Sequence, residues 1–213
     1  MDSTPKILVG VTQRVDSVSG RAELRDALDQ RLVQWLVQAG FLPVVIPNTL
    51  SATADPDEAT LENWLEAVNP GALILSGGND IGECAARDAT ERHLLSWATA
   101  KQAPVLGICR GLQMMAIWVG VDLIKKTGHV GTRHQLKVTG DKKAWPTNVN
   151  SYHNWCLATC PNGFEVTAQA EDGSIEAIKH IDLPWEGWMW HPERETPFSA
   201  QDTKRLKELF NGQ

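Results

Sequence analysis

A cysteine stands between two glycines in the segment GICRGLQ, residues 107–113. An apolar strand-like run precedes Cys109 and an amphipathic helix-like run follows it. This G-x-nucleophile-x-G pattern is typical of a sharp strand-to-helix turn, where glycines keep neighbouring side chains from colliding. The amino terminus of the following helix would favour the thiolate over the thiol. The pattern therefore predicts that Cys109 is a nucleophile and not a structural cysteine.

A cysteine nucleophile needs a base, and the base needs a group that orients it. His191 ends the strand-like run GWMWHPE, and Glu193 follows two residues later. Pro192 stiffens the turn that would present both side chains. The spacing alone is equally compatible with a buried structural histidine, because the fold must bring His191 to Cys109 across 191 − 109 = 82 residues.

The first 120 residues alternate strand-like and helix-like segments, and this alternation must position the cysteine. The predicted strands are KILVGVT (6–12), FLPVVIP (41–47), GALILS (71–76) and APVLGI (103–108). The predicted helices run from Arg21 to Ala39 and over 56–68, 86–102 and 110–120. This pattern predicts an α/β fold with a mostly parallel sheet and helices on both faces. Such sheets bind ligands at the carboxyl ends of their strands, where Cys109 would lie.

The second half of the sequence is richer in strand-like segments. They are RHQLKVTG, TNVNSYHNW, FEVTAQA, SIEAIKHI and EGWMWHP, separated by turn residues. They predict additional antiparallel strands in the C-terminal half. A terminal helix, SAQDTKRLKELF, is predicted to begin at Ser199 or an adjacent residue. Since no repeat or linker is evident, we predict a single domain over residues 1–213.

Composition excludes several classes of function. The chain has 213 residues and a net charge of -6, with no long basic run, so we expect neither nucleic acid nor an anionic membrane as a partner. No signal peptide or membrane span is evident, which predicts a cytoplasmic protein with reduced cysteines. Cys156 and Cys160 have no second pair of ligands, so no metal site is expected, and no cofactor motif is present. The GGND turn lacks the GK[ST] ending of a phosphate loop.

Nine tryptophans are many for a chain of this size. Five lie in the C-terminal third: Trp145, Trp155, Trp185, Trp188 and Trp190. They are compatible with core and rim packing or with an aromatic wall to a pocket.

Three motifs together resemble a class I glutamine amidotransferase domain: GICRGLQ at 107–113, HPE at 191–193 and LSGGND at 75–80. The resemblance covers nearly the whole chain. It implies a flavodoxin-like three-layer core and a triad of Cys109 as nucleophile, His191 as general base and acid, and Glu193 as its orienter.

The resemblance also implies an oxyanion hole and a glutamyl site. The backbone N–H groups of Arg110 and Gly78 would stabilise the oxyanion. Gln113 matches the family glutamine that helps hold the glutamyl part of the substrate. The implied ligand is a small-molecule γ-glutamyl amide.

Members of this family are either ammonia-producing domains that serve a synthetase or stand-alone hydrolases of γ-glutamyl amides. The sequence continues for only about 20 residues after HPER without a synthetase domain, which favours a stand-alone hydrolase. SGGND, GICRG and the set Arg87, Asp88 and Glu91 also resemble the hydrolase branch. GVTQR, NSYHNW and MWHPER are most similar to hydrolases of γ-glutamyl-CDP-amidate, which act in capsule phosphoramidate biosynthesis.

The segment VNSYHNW, 149–155, matches the part of the hydrolase branch that lines the pocket, so Ser151, Tyr152 and His153 are predicted to contact substrate. The match is partial, because Asn154 replaces a second histidine. Met189 likewise replaces the glutamine usual two residues before the HPE histidine. His153 is also compatible with a strand-edge position.

His129, Arg133 and His134 flank the same region of the sequence. They either meet an anionic leaving group or are exposed loop residues.

Three alternatives remain open at this point. One is a glutaminase subunit that supplies ammonia to a separate synthetase. Another is a non-catalytic interaction module on the same core, which intact Cys109, His191 and Glu193 argue against. A third is a cysteine-dependent α/β-hydrolase, whose usual order of nucleophile, acid and histidine differs from the order found here. The sequence does not set the oligomeric state.

Overall fold

The computed structural model describes residues 6–51, 60–140 and 145–212. Within these ranges the chain forms fourteen strands and five α-helices. The strands are β1 (Leu8–Thr12), β2 (Arg14–Ser17), β3 (Leu24–Ala27), β4 (Leu42–Ile46), β5 (Ala72–Leu75), β6 (Val105–Ile108), β7 (Leu123–Lys125), β8 (Val130–Gln135), β9 (Lys137–Val138), β10 (Asn148–Tyr152), β11 (Trp155–Leu157), β12 (Phe164–Gln169), β13 (Ile175–His180) and β14 (Trp185–Trp188). The helices are α1 (Gln30–Ala39), α2 (Leu61–Val68), α3 (Ala85–Lys101), α4 (Arg110–Trp118) and α5 (Ala200–Asn211).

The described residues form one large sheet of eight strands in the order β4-β1-β5-β6-β14-β13-β12-β9. The first five strands in this order are mutually parallel, and the last three pair antiparallel. Counted along the chain, the parallel strands lie in the order 2-1-3-4-5 that is typical of flavodoxin-like folds. The predicted α/β class, with a mostly parallel sheet and added antiparallel strands, is confirmed.

Helices cover both faces of this sheet. Trp188 of β14 faces Trp35 of α1, with 6.4 Å between ring centroids. A Cβ at the preceding Gly187 would lie 2.9 Å from Leu112 of α4. Because successive residues of a strand point to opposite faces, α1 and α4 lie on opposite sides of the sheet. α5 packs with α1, and α3 packs with α4, which completes three layers.

The central strands are buried because their sequences are apolar on both faces. Every residue of β5, β6 and β14 is buried, as expected for strands sandwiched between helix layers. The helices begin where polar side chains cap them: Thr60 accepts a hydrogen bond from the Asn63 N–H, and Ser199 from the Asp202 N–H. The predicted start of the terminal helix at Ser199 is confirmed.

The helix predicted from Arg21 to Ala39 is wrong in its first part. β3 lies there instead, as the second strand of an antiparallel hairpin with β2, and α1 begins only at Gln30. The Asp29 side chain accepts a hydrogen bond from the Arg31 N–H and so caps the shorter helix. The other predicted strands and helices of the first 120 residues are confirmed within a few residues, except that residues 56–59 of the second helix lie outside the described ranges.

The C-terminal tryptophans divide between the core and the surface. Trp185, Trp188 and Trp190 are fully buried, and the last two stack at 5.5 Å with Trp145 against both. A pocket wall built from them is therefore excluded, because they are core residues: Trp188 packs against Trp35 of α1 on one face of the sheet, and Trp185 packs against Trp118 of α4 on the other. Trp155 differs, since its indole N–H donates to the Asp80 carboxylate at the molecular surface.

In the described part of the chain, no helix is both long enough and apolar enough to cross a membrane. The assignment of residues 1–213 to a single domain remains a prediction.

Candidate active site

Cys109 lies at a sharp turn between β6 and α4. Its backbone has φ 50° and ψ -98°, a left-handed conformation that side-chain-bearing residues rarely adopt. Both flanking glycines are required sterically. A Cβ at Gly107 would lie 2.6 Å from the carbonyl carbon of Gly111, and a Cβ at Gly111 would lie 2.1 Å from the Leu75 carbonyl oxygen. The sequence pattern therefore corresponds to a turn that presents the thiol at the carboxyl end of β6.

His191 reaches Cys109 because β14 is the parallel neighbour of β6. Trp188 is in register with Ile108, and the Cys109 N–H donates to the Trp188 carbonyl at 2.7 Å. His191 lies three residues after the end of β14. The Asn150 side chain holds the backbone of His191 there with two hydrogen bonds. Its Oδ1 accepts from the His191 N–H at 3.0 Å, and its Nδ2 donates to the His191 carbonyl at 2.8 Å. Asn150 was not among the candidates predicted from the sequence, although it lies within VNSYHNW.

Glu193 orients His191 from the following short 3-10 turn, Pro192–Arg194. The His191 Nδ1 lies 2.7 Å from the Glu193 Oε1, and both side chains are buried. This hydrogen bond directs the other ring nitrogen of His191 away from Glu193.

The pKa values of Cys109 and His191 depend on one another. Burial alone would raise the pKa of the Cys109 thiol, but the charge and hydrogen bonding of His191 hold it below its ordinary value. Burial would lower the pKa of His191, but Cys109 and Glu193 together raise it to about 9. The two residues therefore favour a thiolate–imidazolium pair, which is the reactive form of a cysteine nucleophile.

The Gly77-Gly78 turn lies beside the same histidine. A Cβ at Gly77 would approach the His191 Cε1 to 2.7 Å. Gly78 has φ +126°, and a Cβ there would lie 2.6 Å from both Arg14 Cβ and Arg87 Nη1. Only glycine fits this turn without displacing neighbours, so the backbone can closely approach a bound ligand.

A buried network of charges joins this turn to the elbow, the sharp turn over residues 107–111 that carries Cys109. The Arg87 Nη2 donates to the carbonyls of Ser76 and Gly77 at 2.7 Å and 3.0 Å. Arg87 also pairs with Glu91 at 3.1 Å, and the Arg110 side chain pairs with Glu91 and Asp88. These contacts link the Gly-Gly turn to the first residue of α4 through Arg87, Asp88 and Glu91. The sequence indicated this set only by its resemblance to the hydrolase branch.

Two cavities meet at His191. The first, about 360 Å³, includes Cys109, Arg110, Gln113, Tyr152 and His153 in its lining. The second, about 250 Å³, extends past His191 towards Asp16 and Leu28. Arg14, Gly78, His191 and Arg194 line both cavities.

Three of the four predicted substrate-contacting residues line the cavity at Cys109. Gln113 is held there by its side-chain amide, which donates to the Trp155 carbonyl at 3.0 Å. The Tyr152 ring stands edge-on to His191 at 6.0 Å, with the Arg194 guanidinium 4.7 Å from its centre.

His153 is buried at the edge of the cavity. Burial alone would lower the pKa of His153, but Cys156 and the negative charge of Glu176 raise it to about 10. The Nδ1 of His153 lies 3.1 Å from the Trp155 carbonyl.

Ser151 is placed differently from its neighbours. Its hydroxyl is buried and donates to the His129 carbonyl at 2.6 Å. Among the described residues that line the cavity at Cys109, Ser151 does not appear. Its position gives no support to a substrate contact.

The residues His129, Arg133 and His134 do not share one environment. His129 is buried, so the alternative of an exposed loop residue is wrong for it: the antiparallel pairing of β8 and β10 brings it against His153, at 4.8 Å between ring centroids. Arg133 is exposed and binds Asn148 and Glu195. His134 is half-buried beside His129, at 4.3 Å between ring centroids.

Comparison with known proteins shows two kinds of relative. A γ-glutamyl-CDP-amidate hydrolase of Campylobacter jejuni is 32% identical over 66% of this chain and 70% of its own length. The aminodeoxychorismate/anthranilate synthase component 2 of Bacillus subtilis is 30% identical over 87% of this chain and 93% of its own length.

A solved structure supports the fold. A Thermoplasma acidophilum protein described as one of the subunits of a GMP synthase superposes with a TM-score of 0.73, at 18% identity, over 98% of this chain and 94% of its own. The family described as Peptidase C26 matches residues 7–193. Because this match spans most of the chain, the protein belongs to the Peptidase C26 family, within the class I glutamine amidotransferase-like proteins.

Proposed function

We propose that this protein hydrolyses a γ-glutamyl amide bond, with Cys109 as nucleophile and water as the final acceptor. One observation carries the proposal: Cys109 and His191 line one polar cavity, and Glu193 lies 2.7 Å behind the histidine. A nucleophile, a base and an orienting carboxylate in this arrangement are what acyl transfer requires.

The first step is acylation of the cysteine. The Cys109 thiolate attacks the γ-carbonyl carbon, and the oxyanion is stabilised by the N–H groups of Gly78 and Arg110. The His191 imidazolium then gives its proton to the leaving nitrogen, the C–N bond breaks, and a γ-glutamyl thioester remains.

The second step is hydrolysis of the thioester. His191, now neutral, removes a proton from water, and the resulting hydroxide attacks the thioester carbonyl. The C–S bond breaks, glutamate leaves, and the thiolate–imidazolium pair is restored. Glu193 keeps the ring oriented throughout and stabilises its charged form.

The glutamyl half is expected to bind in the cavity at Cys109, near Gln113, Tyr152 and His153. Its ammonium and carboxylate groups need paired polar partners, which makes recognition of this half strict. Ser151 is the predicted contact that this placement leaves out.

The leaving group is expected to occupy the second cavity. Arg14 and Arg194 line both cavities, and the positive charges of these two residues suit a phosphate-bearing amidate. The similarity to a γ-glutamyl-CDP-amidate hydrolase supports γ-glutamyl-CDP-amidate itself as the substrate. Release of glutamate and cytidine diphosphoramidate in capsule biosynthesis would follow.

The alternative is a glutaminase subunit that supplies ammonia to a separate synthetase. The similarity to a synthase component over most of both chains favours this candidate. It shares every step above up to the release of the leaving group, which would be ammonia. A non-catalytic interaction module is disfavoured, because it would not need a strained cysteine beside a histidine–glutamate pair.

Steady-state kinetics on the purified single chain distinguishes the two enzymes. We expect kcat/KM to be higher for γ-glutamyl-CDP-amidate than for glutamine, and Cys109→Ala to remove both activities. Arg14→Ala and Arg194→Ala should lower kcat/KM for the nucleotide substrate far more than for glutamine. Arg25→Ala is the matched control, because Arg25 lies on the same hairpin and pairs with Glu23 at the surface. A preference for glutamine, or activity only with a partner protein, would replace the hydrolase proposal by the glutaminase one.

A further inference from the structure

Three histidines and a glutamate converge beside the candidate active site. They are His129, His134, His153 and Glu176, and one ligand atom from each lies within 4.8 Å of all the others. His129, His153 and Glu176 are buried, and His134 is half-buried. The chain brings them from separate elements: the turn before β8, β8 itself, the turn after β10, and β13.

The atoms that face the centre of this cluster have no hydrogen-bond partner among the described residues. They are the Nδ1 of His129, the Nε2 of His134, the Nε2 of His153 and both carboxylate oxygens of Glu176. The Glu176 Oε1 lies 3.9 Å from the His129 Nδ1 and 3.6 Å from the His153 Nε2, which is too far for a hydrogen bond. A buried carboxylate without a hydrogen bond or a bound cation is strongly destabilising.

The outer ring nitrogens of two of the histidines are occupied. The His129 Nε2 lies 3.0 Å from the Asp172 Oδ2, and the His153 Nδ1 lies 3.1 Å from the Trp155 carbonyl. Both partners are acceptors, so each outer nitrogen carries a hydrogen, and the inner nitrogen of each ring remains to bind a metal ion or, in its absence, a proton. A carboxylate or carbonyl behind a histidine is the usual support of a metal-bound imidazole.

We propose that His129, His134, His153 and Glu176 bind one divalent transition-metal ion, of which zinc is the best fit. Three imidazole nitrogens and one carboxylate oxygen are a zinc donor set, and at tetrahedral zinc such atoms stand about 3.3–3.4 Å apart. The 3.6 Å and 3.9 Å separations are close to this spacing, so a small contraction would complete the site. The sequence predicts no metal site, but that prediction rests on the cysteines alone, and this proposal departs from it.

The site has four protein ligands and therefore no free position for substrate, which is typical of a structural zinc. It joins the β8–β10 sheet, which is separate from the main sheet, to β13 of the main sheet. His153 also lines the cavity at Cys109, so the metal would fix that wall of the cavity. The proposal does not depend on which substrate the enzyme takes.

The direct test is metal binding to the full-length, untagged chain. After removal of metal with a chelator, the protein is titrated with Zn²⁺, and with Co²⁺ followed by visible absorption. The Cys109→Ala variant is titrated in parallel, so that the nucleophile cannot supply the binding site. We expect about one metal ion per chain in both proteins, with the cobalt spectrum of a four-coordinate nitrogen and oxygen site.

Variants identify the ligands. His134→Ala and Glu176→Gln should weaken zinc binding at least about tenfold. His93→Ala is the matched control and should bind like the parent, because His93 lies on α3 and pairs with Glu62. Circular dichroism of each metal-free variant establishes that it is folded.

Several results would overturn the proposal. A folded parent chain that binds no stoichiometric Zn²⁺ or Co²⁺ would show that only protons occupy the cluster. Intense sulfur-to-cobalt absorption in the Cys109→Ala variant would instead place Cys156 in the site. Unchanged affinity in folded His134→Ala and Glu176→Gln would move the metal elsewhere.

Discussion

The Nδ1 of His191 lies 2.7 Å from the Oε1 of Glu193, two residues further along the chain. Pro192 between them begins a short 3-10 turn, which brings both side chains to the same side of the backbone. The second carboxylate oxygen of Glu193 has no partner among the described residues. Glu193 therefore acts on the candidate active site chiefly through the histidine.

We expect Glu193→Gln to lower kcat much less than Cys109→Ala or His191→Asn. The amide can still accept a hydrogen bond from the histidine ring, but it no longer stabilises the imidazolium. In a serine protease triad, loss of the acid costs about a hundredfold less than loss of the nucleophile or base. Steady-state assays of the three variants measure this order. Parent-like activity in Glu193→Gln would remove Glu193 from the mechanism.

Cys109→Ala should abolish turnover and leave the fold intact. The thiol lies at the end of a strand, and within the described part of the chain no hydrogen bond from it supports the surrounding backbone. We therefore expect a loss of kcat of the order of 10⁵–10⁶, as for other triad nucleophiles, with an unchanged urea-unfolding midpoint. If the variant retains a substantial fraction of kcat, another residue is the nucleophile.

The pairing of Cys109 with His191 predicts a pH-dependent activity. The pKa of Cys109 is held below its ordinary value, so the rise of kcat/KM with pH should occur at a lower pH than a free thiol would give. The pKa of His191 is raised to about 9, so kcat/KM should fall above that pH, where the histidine has lost the proton that it gives to the leaving nitrogen.

Alkylation of Cys109 by iodoacetamide tests the same interaction without substrate. The dependence of the alkylation rate on pH gives the pKa of the thiol. In the parent protein this pKa should be lower than the ordinary value. In His191→Asn this pKa should rise, because burial raises it and the opposing charge is gone. The same titration midpoint in both proteins would contradict the assignment of His191 as the partner of the thiolate.

The elbow could be predicted from the sequence because its requirements are local. Gly107, Cys109 and Gly111 lie within five residues, and the clashes that exclude a Cβ at either glycine come from the turn and its neighbouring strand. The meeting of Cys109 with His191 is different, since it depends on the register of β14 against β6. Only the family resemblance could indicate that contact.

The errors also have physical causes. The β2–β3 hairpin lies at the surface, where Leu24 is 71% exposed, so these strands lack the apolar alternation that identifies a half-buried strand. The cluster around Glu176 is assembled by the β8–β10 pairing and by β13. Its four members share no sequence spacing typical of a metal site, and their proximity could be seen only in the fold.

Glu91 is expected to be important for stability as well as for the site. It is fully buried, accepts a hydrogen bond from Thr12 at 2.9 Å, and pairs with Arg87 and Arg110. Glu91→Gln leaves two buried guanidinium groups short of a negative partner, which should cost about 3–5 kcal/mol of unfolding free energy. Urea unfolding measures the change.

The control for this experiment is an exposed ion pair. Glu208→Gln disrupts the Lys204–Glu208 pair on α5 and should change the free energy of unfolding by less than about 0.5 kcal/mol. Equal unfolding midpoints for Glu91→Gln and Glu208→Gln would show that the buried network contributes little.

Gly78 is expected to contribute to catalysis as an oxyanion donor. Its φ is +126°, and a Cβ would meet Arg14 and the guanidinium of Arg87 at 2.6 Å. Gly78→Ala should therefore displace the turn and misalign its N–H, with a loss of about 10²–10³ in kcat, the effect of removing one oxyanion donor.

Gly82→Ala is the matched control, because Gly82 also has a positive φ of +96° but none of the described residues lies within 4 Å of its added Cβ. Both variants bear the backbone strain of a left-handed alanine, so only Gly78→Ala should lose activity beyond what its unfolding midpoint explains. Comparable kcat in the two folded variants would show that the Gly77-Gly78 turn does not stabilise the oxyanion.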